Sequence, residues 1–266
     1  MDFMFLRVGI TGLLISTGAW LAVACSVNDL TSPPPVNTLG AADSHGFVHF
    51  DRAIDTVDFG SGGKGGGDLS LPLRFDFTSE RSTTLSPCLG KGGWRCPLLE
   101  ANAVSIQKGR YYRVTFPGGK TMDLWPVQRK QAGGAKPPKK ESASTTGQIF
   151  VTQNPHWKGK LEDGIFTLVR DCGWSLEFAR GGRLSRIKTD KGRVINWELV
   201  PAQAGINSSS AGRITAIREE GAAVPALEVK WDAAGSLPKA FVINGKEYLL
   251  NFTTDKRLES VTWPAG

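Results

Sequence analysis

The chain has 266 residues and a formal net charge of +7, with 32 glycines, 15 prolines and 9% aromatic residues. This length is enough for one large all-β domain or two smaller ones with a buried core, and the many turn-forming residues argue against long helices. The basic balance suits nucleic acid, anionic lipid or acidic polysaccharide as a partner, or a basic surface without a specific partner.

Residues 1–24 have the layout of a secretory signal peptide. A short segment ending at Arg7 precedes an uncharged, mostly apolar run from Val8 to Ala24. This run is shorter than the roughly 20 residues that span a bilayer core, which favours a cleaved signal over a permanent transmembrane helix. Export in turn argues against nucleic acid as a partner.

The signal ends in Leu21-Ala22-Val23-Ala24-Cys25, which resembles the lipobox of bacterial lipoproteins. The resemblance implies that Cys25 is lipidated and becomes the mature N-terminus, and that Ser26 directs the protein to the outer membrane or cell surface. Ala22 departs from the leucine more common there, and an ordinary signal peptidase could cleave after Ala24. A secreted protein without an anchor is therefore the alternative.

Residues 25–45 are rich in proline and read as an extended tether, which would hold the folded part away from a membrane. An N-terminal β segment follows at 46–130. Asp68 to Phe77 alternates apolar and polar residues, which predicts a half-buried strand, and Pro72 favours an edge position for it. Tyr111 to Phe116 and Thr121 to Val127 flank a Pro-Gly turn and predict a hairpin.

Residues 131–147 are polar and basic, and we interpret them as an exposed linker or loop that could contact anionic lipid headgroups. The segment 148–266 then contains one strand pattern after another. The separations of about 8 to 12 residues, with turn signals between them, are typical of all-β proteins.

A short phrase recurs within this last segment. Gly182-Arg183-Leu184-Ser185-Arg186-Ile187 is repeated as residues 212–217, and as 256–261 with lysine in place of glycine. Weaker copies begin at Gly235 and Gly192. We expect glycine at the positive φ of a hairpin turn, arginine in solvent or over an aromatic ring, and the apolar residues inward. The residues assigned to turns and repeat structure are Gly182, Arg183, Gly192, Arg193, Gly212, Arg213, Gly235, Trp197 and Trp231.

One unit of this kind cannot bury its own apolar face, so neighbouring units must stack. The sequence therefore predicts an all-β fold with an antiparallel sheet built from stacked hairpin repeats. That sheet would form a partial β-shell or an open curved sheet.

These units resemble the RHS or YD repeats, which run Gly-Arg-Leu-x-x-Ile, a polar turn, and an aromatic strand that ends in Tyr-Asp. Leu176 to Leu199 matches this template, and Trp231-Asp232 is the nearest equivalent of Tyr-Asp. No Tyr-Asp pair is present, so the copies are divergent. The resemblance extends over residues 54–263 and is strongest from residue 174 onward.

In that family, long arrays wind into shells that can enclose a toxin, or form surface stalks that bind carbohydrate or neighbouring cells. The resemblance thus implies a cell-surface protein. About four repeats are too few for a toxin cage, so we expect binding or assembly instead.

The other cysteines and the histidines bear on disulfides and metals. Cys88 and Cys96 share one glycine-rich loop and favour a disulfide in an oxidising compartment, which leaves Cys172 over. His45, His49 and His156 lack metal-ligand spacing, so we predict no metal site and no cofactor.

No catalytic motif is recognisable. The serines lie in no nucleophile elbow, and the carboxylates are scattered along the chain. We therefore predict a non-catalytic, lipid-anchored envelope protein that binds polysaccharide or another surface protein. A secreted polysaccharide hydrolase whose site forms only in the fold is the alternative. Most of the eight tryptophans should be in the core, whereas an exposed row would provide a sugar-stacking surface.

Overall fold

The computed structural model of the protein describes residues 49–59, 69–79, 88–127, 147–200 and 212–264, together with Leu30 and Ser86. The signal peptide, Cys25, the rest of the tether and the basic segment up to residue 146 lie outside the described residues.

The described residues form seventeen strands and one short helix. The first group comprises β1 (His49–Phe59), β2 (Leu69–Thr78), β3 (Trp94–Arg95), the helix α1 (Pro97–Glu100), β4 (Asn102–Ile106), β5 (Tyr111–Thr115), β6 (Thr121–Pro126), β7 (Gln148–Val151) and β8 (Trp157–Glu162). The second group comprises β9 (Ile165–Arg170), β10 (Ser175–Phe178), β11 (Leu184–Lys188), β12 (Val194–Val200), β13 (Arg213–Glu219), β14 (Leu227–Trp231), β15 (Pro238–Ile243), β16 (Lys246–Phe252) and β17 (Leu258–Thr262).

These strands make two antiparallel sheets. The small sheet has the order β1-β2-β3, and the large sheet contains fourteen strands, β4 to β17, each paired with its neighbours in the chain. The prediction of an all-β protein with an antiparallel sheet of hairpin strands is confirmed, and the large sheet is not closed into a barrel.

The large sheet continues across the basic segment 131–147. Trp125 of β6 pairs with Val151 of β7, so this segment connects two adjacent strands of one sheet. Buried side chains from both sheets also belong to one hydrophobic cluster. The N-terminal β segment and the repeat segment therefore share a single core.

Four of the five copies of the repeated phrase lie in a strand pair with a β-bulge, whereas the copy at Gly192 has no register shift between β11 and β12. The strand register shifts between Glu177 and Phe178 in the first copy, and at corresponding points of the β12–β13, β14–β15 and β16–β17 pairs. A bulge adds one residue to one strand, so Leu184 and Ile187, three positions apart, both face the core at 1% and 0% exposure. The spacing Leu-x-x-Ile is thus explained by the bulge.

The large sheet curls back on itself. The N–H of Ala103, in β4, donates to the carbonyl of Gly182 in the β10–β11 turn over 2.7 Å, and the N–H of Leu184 donates to the carbonyl of Ala101 over 3.0 Å. Gly182 has φ +85° there. The first strand of the large sheet is consequently held against the turn that begins the repeats.

The small sheet packs on the inner face of the large sheet. Phe75 of β2 lies edge-on to Phe241 of β15, with ring centroids 6.1 Å apart. The hydroxyl of Tyr248 donates to the carboxylate of Asp55 in β1. Burial, followed by the Asp55 carboxylate, raises the pKa of Tyr248 to about 12. The core therefore lies between the two sheets and includes polar contacts.

Candidate functional site

The arginines of the repeated phrase have three different environments. Arg183 is 7% exposed and donates from Nη1 to the carbonyl of Leu99 over 2.8 Å. The prediction that this arginine faces solvent or stacks on an aromatic ring is therefore wrong for the first copy of the phrase. Arg193 makes two hydrogen bonds to Glu219, at 2.7 and 2.9 Å, which hold the pKa of Glu219 below its ordinary value. Arg213 lies over the ring of Trp231, 5.6 Å from its centroid, as a cation–π contact.

The remaining repeat residues lie in turns or in the core. Gly182, Gly192, Gly212 and Gly235 all have positive φ. Trp197 is 3% exposed and its Nε1–H donates to the carbonyl of Leu98 over 3.2 Å. The indole N–H of Trp231 donates to the carbonyl of Ile214 over 2.9 Å. The structure thus gives these residues roles in folding and does not gather them into one surface.

The predicted disulfide between Cys88 and Cys96 is not formed, because both cysteines are free and buried in the core. Cys172, for which the sequence predicted no disulfide partner, is disulfide-bonded instead. Burial, with a smaller effect of the Glu100 carboxylate, raises the pKa of Cys88 to about 12, and burial also raises the pKa of Cys96. Both thiols therefore stay protonated and behave as small apolar side chains.

Next to these thiols, Glu100 organises a buried polar network. Its carboxylate accepts hydrogen bonds from the Ser86 hydroxyl (2.6 Å), the Cys96 N–H (3.1 Å) and Arg95 Nε (2.7 Å), although Glu100 is only 5% exposed. Ser86 Oγ in turn accepts N–H groups of Cys88 and Leu89. Every group in this network has a protein partner, so its geometry is that of a structural clamp.

Within the described ranges, no three His, Cys, Asp or Glu side chains are grouped so that they could hold a metal ion. No helix in the described part of the chain has the length and apolar character needed to cross a membrane.

A cleft of about 440 Å³ lies at one end of β6, beside the connection between β7 and β8. Its walls are formed by the β5–β6 turn, by β6 and by the β7–β8 connection. The lining residues are Phe116, Lys120, Thr121, Met122, Asp123, Trp125, Thr152, Gln153, Asn154 and Trp157. The cleft thus combines aromatic rings with amide, hydroxyl, ammonium and carboxylate groups.

Two tryptophans have different roles in this cleft. Trp125 is 41% exposed and stacks on Tyr111, with ring centroids 5.8 Å apart and an interplanar angle of 27°. Trp157 is 2% exposed and packs against Phe116, and the Arg170 guanidinium lies over its ring. Trp125 therefore offers an oriented aromatic surface to a ligand, whereas Trp157 supports the cleft from below.

Two polar groups of the cleft, on Asp123 and Asn154, are also held in place. Arg113 Nε and Nη2 donate to the two carboxylate oxygens of Asp123 over 2.7 and 2.8 Å, and these bonds keep the pKa of Asp123 below its ordinary value. Asn154 Oδ1 accepts the N–H of His156 over 3.1 Å. Asp123 is therefore charged at neutral pH, with a fixed orientation beside Trp125.

Sequence reasoning did not single out this cleft. Trp125 was one of eight tryptophans, most of them expected in the core, and the β7–β8 connection is distant from it in the chain. The alternation of side chains between the two faces of β6 nevertheless indicated that Trp125 is exposed. Leu124 is fully buried, so its neighbour Trp125 must point to the opposite face.

No protein-family model matches this chain, and no curated protein is significantly similar to it. The fold and the site by themselves define an antiparallel β-sheet protein with a curled fourteen-stranded sheet and an aromatic, polar cleft.

Proposed function

We propose that this protein is a non-catalytic, exported protein of the cell envelope that binds carbohydrate in the cleft around Trp125. The observation that carries the proposal is the half-exposed Trp125 ring, stacked on Tyr111 and bordered by hydrogen-bonding side chains. A sugar ring has apolar C–H faces and a rim of hydroxyl groups. An aromatic face with polar neighbours matches both parts.

The size and rigidity of the cleft support this assignment. A volume of about 440 Å³ is within the usual range for small-ligand sites. Because Tyr111 and Arg113 already orient Trp125 and Asp123, a sugar would bind with a small loss of side-chain entropy.

The carboxylates favour binding over hydrolysis. Asp123 is the one carboxylate among the residues that line the cleft in the described part of the chain, and both its oxygens are engaged by Arg113. Glycosidases ordinarily need two carboxylates on opposite sides of the scissile bond.

We expect Trp125→Ala to weaken carbohydrate binding by about tenfold or more, because the substitution removes the stacking surface. The measurement is isothermal titration calorimetry with a panel of neutral, N-acetylated and uronic-acid oligosaccharides. Trp263→Ala is the matched control, since Trp263 is similarly exposed, at 45%, but lies beyond β17.

The proposal fails if no oligosaccharide of the panel binds, or if the two tryptophan variants bind equally well. Release of new reducing ends from any bound oligosaccharide would instead indicate the hydrolase.

The proposal includes a lipid anchor on Cys25 and a place among the RHS or YD-repeat proteins. The lipobox-like Leu21 to Cys25 supports the anchor, and the bulged hairpins at Gly182-Arg183-Leu184 and Lys256-Arg257-Leu258 support the repeat family. With the anchor, the protein would lie at the outer membrane or cell surface.

Mass spectrometry of the mature protein tests the anchor, and we expect an N-terminal peptide that starts at an acylated Cys25. The chain has four cysteines, Cys88 and Cys96 are free, and Cys172 is disulfide-bonded. An acylated Cys25 and an intrachain disulfide of Cys172 therefore exclude each other, so the same spectrum must be searched for a peptide containing Cys172 linked to one containing Cys25. An unmodified or disulfide-linked Cys25 would contradict the anchor, because acylation requires its Sγ.

A further inference from the structure

The cleft around Trp125 contains a positive charge without a partner. Lys120 and Asp123 are the charged side chains among the described residues that line it. Arg113 donates to both oxygens of the Asp123 carboxylate over 2.7 and 2.8 Å, so this pair presents little net charge to a ligand. No acidic side chain in the described ranges forms an ion pair with Lys120. The cleft therefore has an excess of positive charge at Lys120.

The β5–β6 turn holds the backbone of Lys120 in place. The N–H of Phe116 donates to the carbonyl of Lys120 over 2.8 Å, and the N–H of Gly119 donates to the carbonyl of Phe116 over 2.8 Å. The N–H of Gly118 donates over 2.7 Å to the carbonyl of Leu30, whose side chain is buried in the core. The Lys120 side chain itself is exposed. An ammonium group on a fixed backbone thus lies at the wall of the cleft.

The acidic side chain beside the β7–β8 connection is already paired as well. The N–H of Asp171 donates to the carbonyl of His156 over 3.0 Å, which places Asp171 next to this connection. Its carboxylate lies 3.2 Å from Lys158 Nζ and 3.6 Å from His156 Nδ1. Asp123 and Asp171 therefore each have a cation of their own, and the charge of Lys120 remains available to a ligand.

Lys120 and Trp125 lie towards opposite ends of the wall that β6 contributes to the cleft. They are five positions apart, which is about 16 Å along an extended strand. Thr121 and Asp123 lie between them and add a hydroxyl and a carboxylate that can bind sugar hydroxyl groups. One sugar ring is too short to cover this distance. A ring stacked on Trp125 and a group bound by Lys120 would therefore belong to different units of one oligosaccharide.

We propose that the ligand of the cleft is an acidic oligosaccharide, with one ring stacked on Trp125 and a carboxylate or sulfate group of another unit bound by Lys120. This inference rests on the proposed carbohydrate binding and specifies the class of glycan. An ammonium group forms charge-assisted hydrogen bonds with such anions, and the positive net charge of the chain attracts them from solution.

The test compares oligosaccharides that differ only in charge. Uronic-acid tetrasaccharides are titrated calorimetrically as free acids and as methyl esters, and sulfated tetrasaccharides with and without their sulfate groups. We expect at least one anionic member to bind the protein about fivefold more tightly than its neutral counterpart, as for a partly exposed charge pair. The pair that shows this preference identifies the anionic group.

Lys120→Met tests the residue. Methionine keeps an unbranched apolar side chain without the charge, so the preference for the anionic member should disappear while binding of the neutral member is unchanged. Lys120→Arg should retain the preference. Lys239→Met is the matched control, because it removes the same charge from an exposed lysine of β15, in the other half of the large sheet.

The inference is overturned if the two members of every pair bind equally well, or if Lys120→Met keeps the same preference as Lys239→Met. Anion binding of undiminished affinity in Trp125→Ala would also overturn it, because the anion would then be bound outside the cleft. Neutral tetrasaccharides that bind in a Trp125-dependent manner, without a preference for the anionic ones, would contradict this inference and leave the proposed function standing. The absence of binding by any tetrasaccharide would contradict both.

Discussion

Replacing Gly182 with alanine is expected to destabilise the protein by about 3 kcal/mol, from backbone strain and a displaced strand together. A Cβ at Gly182 would lie 2.3 Å from the carbonyl oxygen of Ala103, and φ is +85°. Backbone cannot yield as a flexible side chain does, so β4 must move away from the β10–β11 turn. The hydrogen bond from Ala103 N–H to Gly182 would be lost with it.

Gly192→Ala is the matched control, because Gly192 has φ +78° but no atom within 4 Å of its Cβ position. We expect a loss of about 1 kcal/mol from the left-handed backbone alone. Urea unfolding followed by tryptophan fluorescence measures both variants. Equal losses would show that the contact between β4 and the repeats contributes nothing to stability.

The second large effect is expected at Glu100. Glu100→Ala should cost about 3 kcal/mol, because it leaves the Ser86 hydroxyl, the Cys96 N–H and Arg95 without their acceptor in a buried site. The carboxylate also ties α1 to the preceding loop, so the loss would extend to the packing of the small sheet.

Glu198→Ala provides the comparison. Glu198 also accepts a hydrogen bond from an arginine, Arg218, over 2.7 Å, but its side chain is 43% exposed. An exposed pair of this kind contributes less than about 1 kcal/mol. A similar midpoint of urea unfolding in the two glutamate variants would refute the view that burial makes the Glu100 network important.

Local patterns in the sequence predicted several strands well. The alternation of Asp68 to Phe77 corresponds to β2, Leu69–Thr78, and the predicted hairpin corresponds to β5, Tyr111–Thr115, and β6, Thr121–Pro126. The edge position that Pro72 favoured for β2 is wrong, because β2 is the middle strand of the small sheet, where β3 pairs only with Asp76 and Phe77. These predictions succeed because side-chain alternation and turn chemistry act between residues that are close in the chain.

The predictions for Arg183 and for a Cys88–Cys96 disulfide were wrong because contacts between distant segments determine the surroundings of these residues. Arg183 carries the charge of a surface residue, yet it is buried because residues 98–100 approach the β10–β11 turn and offer it the Leu99 carbonyl. Cys88 and Cys96 are close in sequence, but the core takes up both thiols as apolar groups. In each case the packing of residues that are distant in the chain determines the surroundings of the side chain.

The sequence by itself determined that the protein is all-β, and its Gly-Arg-apolar phrases marked hairpins of the second half of the large sheet. Those properties depend on preferences of neighbouring residues. Tertiary structure alone decided how the sheet curls, which arginines are buried, and that Trp125 borders a polar cleft. A site of this kind depends on which strands become neighbours, and that is settled by burial of the shared core.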